Sequence, residues 1–365
     1  APKPKFAESP RLRRRGRMTS TDLTVLGAAA AAAMQPSGST VIPLDVALPL
    51  LSGDMEALVE LDLHNDPIGD DGTSQLAVAL GRNRSLAKLE IWRSQLTCRG
   101  ATSLAHALKG RSEGLKELNL SSNQYVGDEG ATAIADMLVS NACLETLWML
   151  SVGLTSKGVC SLAESLHINN KLRLLQLSDN PLVGDEGATA MGEMLAVNST
   201  FEKLWFGGTS MTLEGVSALA EGLKRNRSMV GFGIPSTRVG YKGAEVLADA
   251  LKVNLTLKEL WLSREDVEIR GLVSLGTVLR DHPRSAGFKL PLNDLKLVAL
   301  RLGLPSAARH WDNDAIIGYW RGEHEEKLLA FAMGSHERLG AESKVQVLVD
   351  RIDCFHSVTS AFFGG

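Results

Sequence analysis

The chain has 365 residues, 44% of them hydrophobic but only 5% aromatic, and a net charge of -3, which excludes a chain disordered throughout and describes a core of Leu, Ala and Val. The charge is uneven: residues 1–20 carry seven Lys or Arg against Glu8, roughly +6, so the remainder stands near -9, which argues against a nucleic-acid partner. No apolar run approaches the ~18 residues that cross a bilayer, and four cysteines without CxxC spacing point to reduced structural thiols.

Residues 1–40 are rich in Pro, Arg, Ser and Ala, hold only Glu8 and Asp22 as acids, and follow neither secondary-structure period, so no fixed fold is expected there. An Arg-rich, acid-poor leader resembles an organellar transit peptide. The alternatives are a flexible tail, or sequence upstream of a true start at Met18. The protein is accordingly expected in the cytoplasm, or in an organelle if the leader is a transit peptide. Within residues 41–57 the apolar segment from Val41 to Leu51 stands where a preceding repeat's helix would lie, and is expected to cap the first repeat.

The rest of the chain is organised around one unit: Leu115-Lys-Glu-Leu118-Asn-Leu120-Ser-Ser-Asn123, then Gly127-Asp-Glu-Gly130-Ala-Thr-Ala-Ile134-Ala-Asp-Met-Leu138. The first half has the period of a strand and the second that of a helix. The unit recurs with Leu58, Leu86, Leu144, Leu172, Phe201, Met229 and Leu257 in place of Leu115, at intervals of 28 or 29 residues. Residues 58–285 are thus expected to form eight repeats in one elongated domain. Parallel neighbours need a crossover, and here a helix supplies it. Residues 286–311 should hold a degenerate last strand at Phe288–Leu292, where Pro291 removes a ladder donor, followed by a linker. Residues 312–365 read as a helical C-terminal cap and tail.

This repeat resembles the ribonuclease-inhibitor-like class of leucine-rich repeats, whose unit reads LxxLxLxx(N), then G, then LAxxL. It is also similar to the repeats of Ran GTPase-activating proteins and of NOD-like receptors. The resemblance implies an α/β solenoid, a horseshoe with a concave parallel β-sheet and convex helices. In such a solenoid the Ala or Gly of the inward helix pairs, Leu76/Ala77 to Leu275/Gly276, is expected where helix meets strand.

Two motif types dissolve into the repeat. Asn83, Asn198, Asn226 and Asn254 each open an N-x-S/T sequence, yet each follows a helix, where Asn is expected to end it in the left-handed conformation. The acids of Gly69–Gly72, Gly127–Gly130 and Gly184–Gly187 lack calcium-loop spacing and stand at helix N-termini, where they favour the dipole. No pair among the eight histidines has the spacing of a helical zinc site, and no phosphate-binding or nucleophile motif is present. No catalytic residue, metal or cofactor is therefore assigned.

Function is instead expected at the solvent-facing strand positions, the third, fifth, seventh and eighth after each leading apolar residue. Four of the six tryptophans lie there. The candidate partner-binding residues are Trp92, Arg93, Trp148, Gln176, Asp179, Lys203, Trp205, Gly233, Trp261 and Arg264. Trp148, Trp205 and Trp261 recur at the fifth position of every second repeat, which predicts a ladder with indoles about 10 Å apart. Gly233 lies between the last two as a bare floor, open to a partner's residue or covered by the indoles. The expected function is a non-enzymatic protein-interaction scaffold holding a partner protein on the concave face. The alternatives are a GTPase regulator of the Ran GTPase-activating type, whose acidic C-terminal tract is missing here, and a subunit of a larger assembly.

Overall fold

A computed structural model of the chain describes residues 44–52, 58–237 and 239–262, together with Gly271, Ser274, Leu275 and Val278 of a following helix. The expected leader, last strand and C-terminal cap lie outside the described residues, as does Arg264. Strand and helix alternate as the two halves of the repeat require. The order is α1 (Leu44–Ser52), β1 (Glu60–Asp62), α2 (Gly69–Arg82), β2 (Lys88–Glu90), α3 (Cys98–Leu108), β3 (Glu117–Asn119) and α4 (Gly127–Leu138). It continues through β4 (Thr146–Trp148), α5 (Ser156–Leu166), β5 (Leu174–Gln176), α6 (Asp185–Val197), β6 (Lys203–Trp205), α7 (Leu213–Arg225), β7 (Gly231–Gly233), α8 (Gly240–Val253) and β8 (Glu259–Trp261).

The strands form one parallel sheet in sequence order. Pairing is one to one throughout, as in Leu118↔Leu147 and Leu147↔Leu175. The middle residue of each strand is buried under the helices, while the first and third stay half-buried on the other face. In β7 all three residues, Gly231, Phe232 and Gly233, are buried. The core is a continuous stack of Leu and Ala with Phe201, Phe206 and Phe232 towards its C-terminal end. Its helix side includes Leu104, Ile134, Leu162 and Leu219. The chain is a leucine-rich-repeat solenoid.

At α6 the Gly of the inward pair, Gly192, meets the neighbouring helix α7, and Gly222 of α7, outside the inward pair, meets α6 from the other side. A Cβ on Gly192 would lie 2.4 Å from the Ala218 carbonyl, and one on Gly222 would lie 2.3 Å from the Gly192 carbonyl. The small side chain is needed here for helix-to-helix approach.

Two columns of hydrogen bonds tie successive repeats together, the first at nearly every junction and the second at every other one. In the first, buried asparagines follow the helices: the Asn141 amide donates to the Leu108 carbonyl at 2.7 Å, and its Oδ1 accepts from the Leu144 N–H at 2.8 Å. Asn169, Asn198, Asn226 and Asn254 repeat the pattern, and Asn83 makes it to Leu51 of α1 at 3.2 Å. The backbone of Asn83, Asn198, Asn226 and Asn254 is extended, with φ between -66° and -84°, and not left-handed as expected. Extended geometry turns the amide inward, where both of its ends are used, so these side chains are shielded from glycosylation. Helix α1 stands where a preceding repeat's helix would, burying Ala47 and Leu51.

The acids stand in the first turns of their helices as expected, and the second column gives one acid of each pair a further role. Asp70, in the first turn of α2, accepts from the Thr97 hydroxyl at 2.6 Å and from the N–H groups of Thr97 and Gly100, both at 2.9 Å. It caps α3, the next repeat's helix. Asp128 and Asp185 do the same for α5 and α7 through Thr155 and Gly158, and through Thr212 and Gly215. Gly is required at the receiving position because a Cβ on Gly158 would lie 2.6 Å from Asp128 Oδ1. Burial opposes ionisation of Asp70 and Asp185, but the hydroxyl and N–H donors outweigh it and hold both carboxyls below their usual range.

Leu118 is fully buried at the centre of β3, so Leu118→Ala is expected to cost about 2–5 kcal/mol. In thermal melts its shift should far exceed that of Glu117→Ala; equal shifts would contradict the inward assignment. For the carboxylate column the sign follows from the lowered pKa. Its stabilisation is present above the unfolded value of about 3.9 and is lost as pH falls through the folded pKa. Asp185→Asn should therefore melt below the parent at neutral pH and converge with it in acid. A deficit equal on both sides of pH ~4 would show that the charge contributes nothing.

Candidate functional site

One-to-one pairing carries equivalent positions into straight rows across the concave face. The fifth-position row runs Asp62, Glu90, Asn119, Trp148, Gln176, Trp205, Gly233, Trp261. The eighth-position row has a feature the sequence reading missed. Asn65, Arg93, Ser122, Ser151, Asp179, Gly208 and Ser236 all have positive φ, between 54° and 63°. Each turns the chain out of its strand in the left-handed conformation. The signal was present as a column of Asn, Ser, Asp and Gly, the residues that tolerate this region. At Gly208 a second constraint applies, since a Cβ there would lie 2.4 Å from Asp179 Oδ1.

The face divides into three zones. Over β1–β3 it is acidic and already networked. Lys88 bonds Glu90 at 2.9 Å and lies 3.9 Å from Glu117. Burial works against its charge, but the bond to Glu90 and the carboxylates of Glu90, Glu117 and Glu60 prevail and raise its pKa. His64 meets Asp62 at 2.6 Å and stacks on Trp92 with ring centroids 4.7 Å apart and planes within 2°. The Arg93 guanidinium lies 5.7 Å from the same indole, a cation–π distance. Trp92 and Arg93 are thus brought together, as one end of a layered cluster.

Over β4 and β5 the face is uncharged at the third and fifth positions. Thr146, Trp148, Leu150, Leu174 and Gln176 are all half-buried there. Gln176 Oε1 accepts from the Ser178 N–H at 2.9 Å, which fixes its amide. Asp179 is exposed at the left-handed turn beyond.

Over β6–β8 two pairs arch across the glycine strand. Lys203 reaches Glu259 at 3.1 Å, passing over Gly231. Trp205 meets Trp261 edge to face, with ring centroids 6.0 Å apart and planes at 84°. The expected spacing of about 10 Å is therefore corrected. With no side chain on Gly233 to hold them apart, the indoles close over it: a Cβ there would lie 2.5 Å from Trp205 Cε3 and 3.1 Å from Trp261 Cβ. Gly233 is a covered floor and not an open one.

Among the described residues, no group of three or more His, Cys, Asp or Glu is arranged to hold a metal ion, and no helix is long and apolar enough to cross a membrane. Cys143 is a buried free thiol, whereas Cys98 and Cys160 are half-buried.

The indole pair yields a test of its own. A double-mutant cycle of Trp205→Ala and Trp261→Ala should return a coupling of about 0.5–1.5 kcal/mol in unfolding free energy, the range of aromatic pairs. A coupling of zero would mean that the rings do not pack on each other.

The leucine-rich-repeat family matches residues 114–135 and 169–192. The chain is similar to ribonuclease inhibitor of Mus musculus, 33% identical over 159 residues that cover 43% of this chain and 34% of that protein. It is similar to centrosomal protein of 78 kDa of Mus musculus, 31% identical over 149 residues, covering 35% of this chain and 19% of that one. It is also similar to NACHT, LRR and PYD domains-containing protein 14 of Homo sapiens, 36% identical over 140 residues, covering 38% of this chain and 12% of the other. The chain spans about a third of the length of the ribonuclease inhibitors it matches.

Proposed function

Because the repeats belong to the ribonuclease-inhibitor-like leucine-rich-repeat family, we propose that the chain is a non-enzymatic scaffold that holds a partner protein against its concave sheet. The observation that carries this is the placement of four half-buried tryptophans, Trp92, Trp148, Trp205 and Trp261, on one face of a rigid sheet. Ordinary surface rarely gathers indoles. Interface cores do, because a large rigid ring loses little entropy on contact and excludes water over a wide area. Charged groups flank the indoles: Arg93 beside Trp92, and Lys203 and Glu259 beside the Trp205–Trp261 pair. These would set orientation more than affinity. One relative is named for inhibiting an enzyme, which is itself a protein partner. Trp92, Arg93, Trp148, Gln176, Asp179, Lys203, Trp205 and Trp261 are the proposed contacts. Gly233 contributes through the indoles that cover it.

Affinity capture followed by mass spectrometry would supply the partner, and site-specific crosslinking would place it. A photoreactive residue at Gln176, on the concave face, is expected to label that partner. The same residue at Val78, which is 72% exposed on α2, is expected not to. Labelling from Val78 without labelling from Gln176 would move the binding surface to the helices and contradict the proposal.

A further inference from the structure

The four concave indoles differ in what holds them. Trp92 is stacked on His64 and faces Arg93, while Trp205 and Trp261 pack on each other. Among the described residues, the Trp148 indole has neither a ring partner nor a side-chain hydrogen bond. It stands on β4, next to β5, the middle two of the eight strands. Thr146 and Leu150 flank it along its own segment, and Leu174 on β5 pairs with Thr146.

Two polar side chains beside this centre are already bonded within the protein. Asn119 donates to Glu90 at 2.6 Å and accepts from the Ser121 N–H at 3.0 Å, while Gln176 holds the Ser178 N–H. An apolar centre flanked by groups that are bonded within the protein is the arrangement of an interface hot spot, since such flanks exclude water while demanding little of a partner. The charges then give the partner's polarity. At the third and fifth positions, β1–β3 carry Glu60, Asp62, Glu90 and Glu117 against Lys88 alone, β4 and β5 carry no charge, and Lys203 and Glu259 on β6–β8 cancel. The Glu60 Oε2 atom is buried and has no hydrogen-bond partner among the described residues.

Resting on the protein-binding reading and deepening it, we propose that Trp148, Leu150 and Leu174 are the anchor of the concave face. The partner supplies a peptide segment bearing a large apolar side chain, with a Lys or Arg about 10 Å towards β2, two strand spacings away. In an extended segment that distance is about three residues. The apolar side chain covers the Trp148 ring, a partner carbonyl accepts the indole N–H, and the cation enters the field of Glu60, Glu90 and Glu117. Trp205 and Trp261, engaged with each other, contribute to the rim.

Panning a random-peptide phage library on the intact chain tests this. Enriched sequences are expected to pair an aromatic or aliphatic residue with Lys or Arg two to four positions away. A synthetic copy of the commonest should bind about thirtyfold more weakly to Trp148→Ala, less so to Trp148→Phe, and several-fold more weakly to the Glu90→Gln/Glu117→Gln double variant, with affinity falling as salt rises. Thermal melts confirm that each variant is folded. Binding unchanged in Trp148→Ala, an acidic consensus, or no enrichment overturns the proposal. If binding is lost in Trp92→Ala or Gln176→Ala but kept in Trp148→Ala, the concave-face function stands and the anchor is wrong. If no concave substitution weakens binding, both fall.

Discussion

The buried asparagine column carries the order of the stack from the sheet to the helix ends: the parallel ladder runs on past the three central residues of each strand, as from the Leu63 N–H to the Glu90 carbonyl and from the Ala87 N–H to the Val59 carbonyl, and the amides continue it to the last turns of the helices. Each amide joins a carbonyl of the previous repeat's last helical turn to the N–H of the leading apolar residue just ahead of its own next strand, at distances near 2.8 Å on both sides. These carbonyls are the orphans of helix C-termini, and burying them or the loop N–H groups unpaired would cost more than the bonds contribute. With an amide, or in one case the Arg111 guanidinium, at each junction, the register of successive units has no freedom to slip. Straight rows of concave side chains follow from that, and so does every contact in the candidate site.

A second order is imposed on the first. The aspartate caps occur at Asp70, Asp128 and Asp185, and their receiving threonines at Thr97, Thr155 and Thr212, so two successive repeats form the true unit of the central solenoid. Asn123 and Asn180 follow the same alternation, each holding two N–H groups of the preceding repeat's turn through Oδ1. The tryptophans at the fifth strand position recur with this double period. The alternation breaks at α8, where Tyr241 and Lys242 stand in place of the acids. Past that point the concave face is organised differently, by pairs that bridge over a strand of glycines.

The architecture was legible because the 28- or 29-residue period, the Leu-x-Leu triplets and the glycines ahead of the helices are all local. Which residues share the concave face was legible for the same reason. What the side chains do there was not. That Trp205 and Trp261 touch depends on a third strand lacking a side chain, a relation across 56 residues that no local pattern records. Likewise the Asp70 carboxylate reads as a cap for its own helix, because sequence displays the neighbour in the chain and hides the neighbour in the stack. The left-handed column could have been read, since seven equivalent positions hold Asn, Ser, Asp or Gly with one Arg among them.

One position in the asparagine column is Arg111, and its chemistry shows what the column requires. Its guanidinium donates to the Leu80 carbonyl at 2.6 Å and to the Asn83 carbonyl, the two acceptors an asparagine amide would take. An arginine has no acceptor, so it reproduces only half of the asparagine's function. The turn that follows is also different: the next leading residue, Leu115, comes four positions on rather than three, and Gly110 and Gly114 both have positive φ. Room for the guanidinium comes from Gly114, whose Cβ would lie 2.7 Å from Nη2. Burial, and then the nearby Arg84 charge, depress the Arg111 pKa, and its Nε lacks a hydrogen-bond partner. Among the described residues no carboxylate forms an ion pair with Arg111, although the Glu113 charge acts on it; such a buried cation is costly, and a neutral amide would avoid that cost.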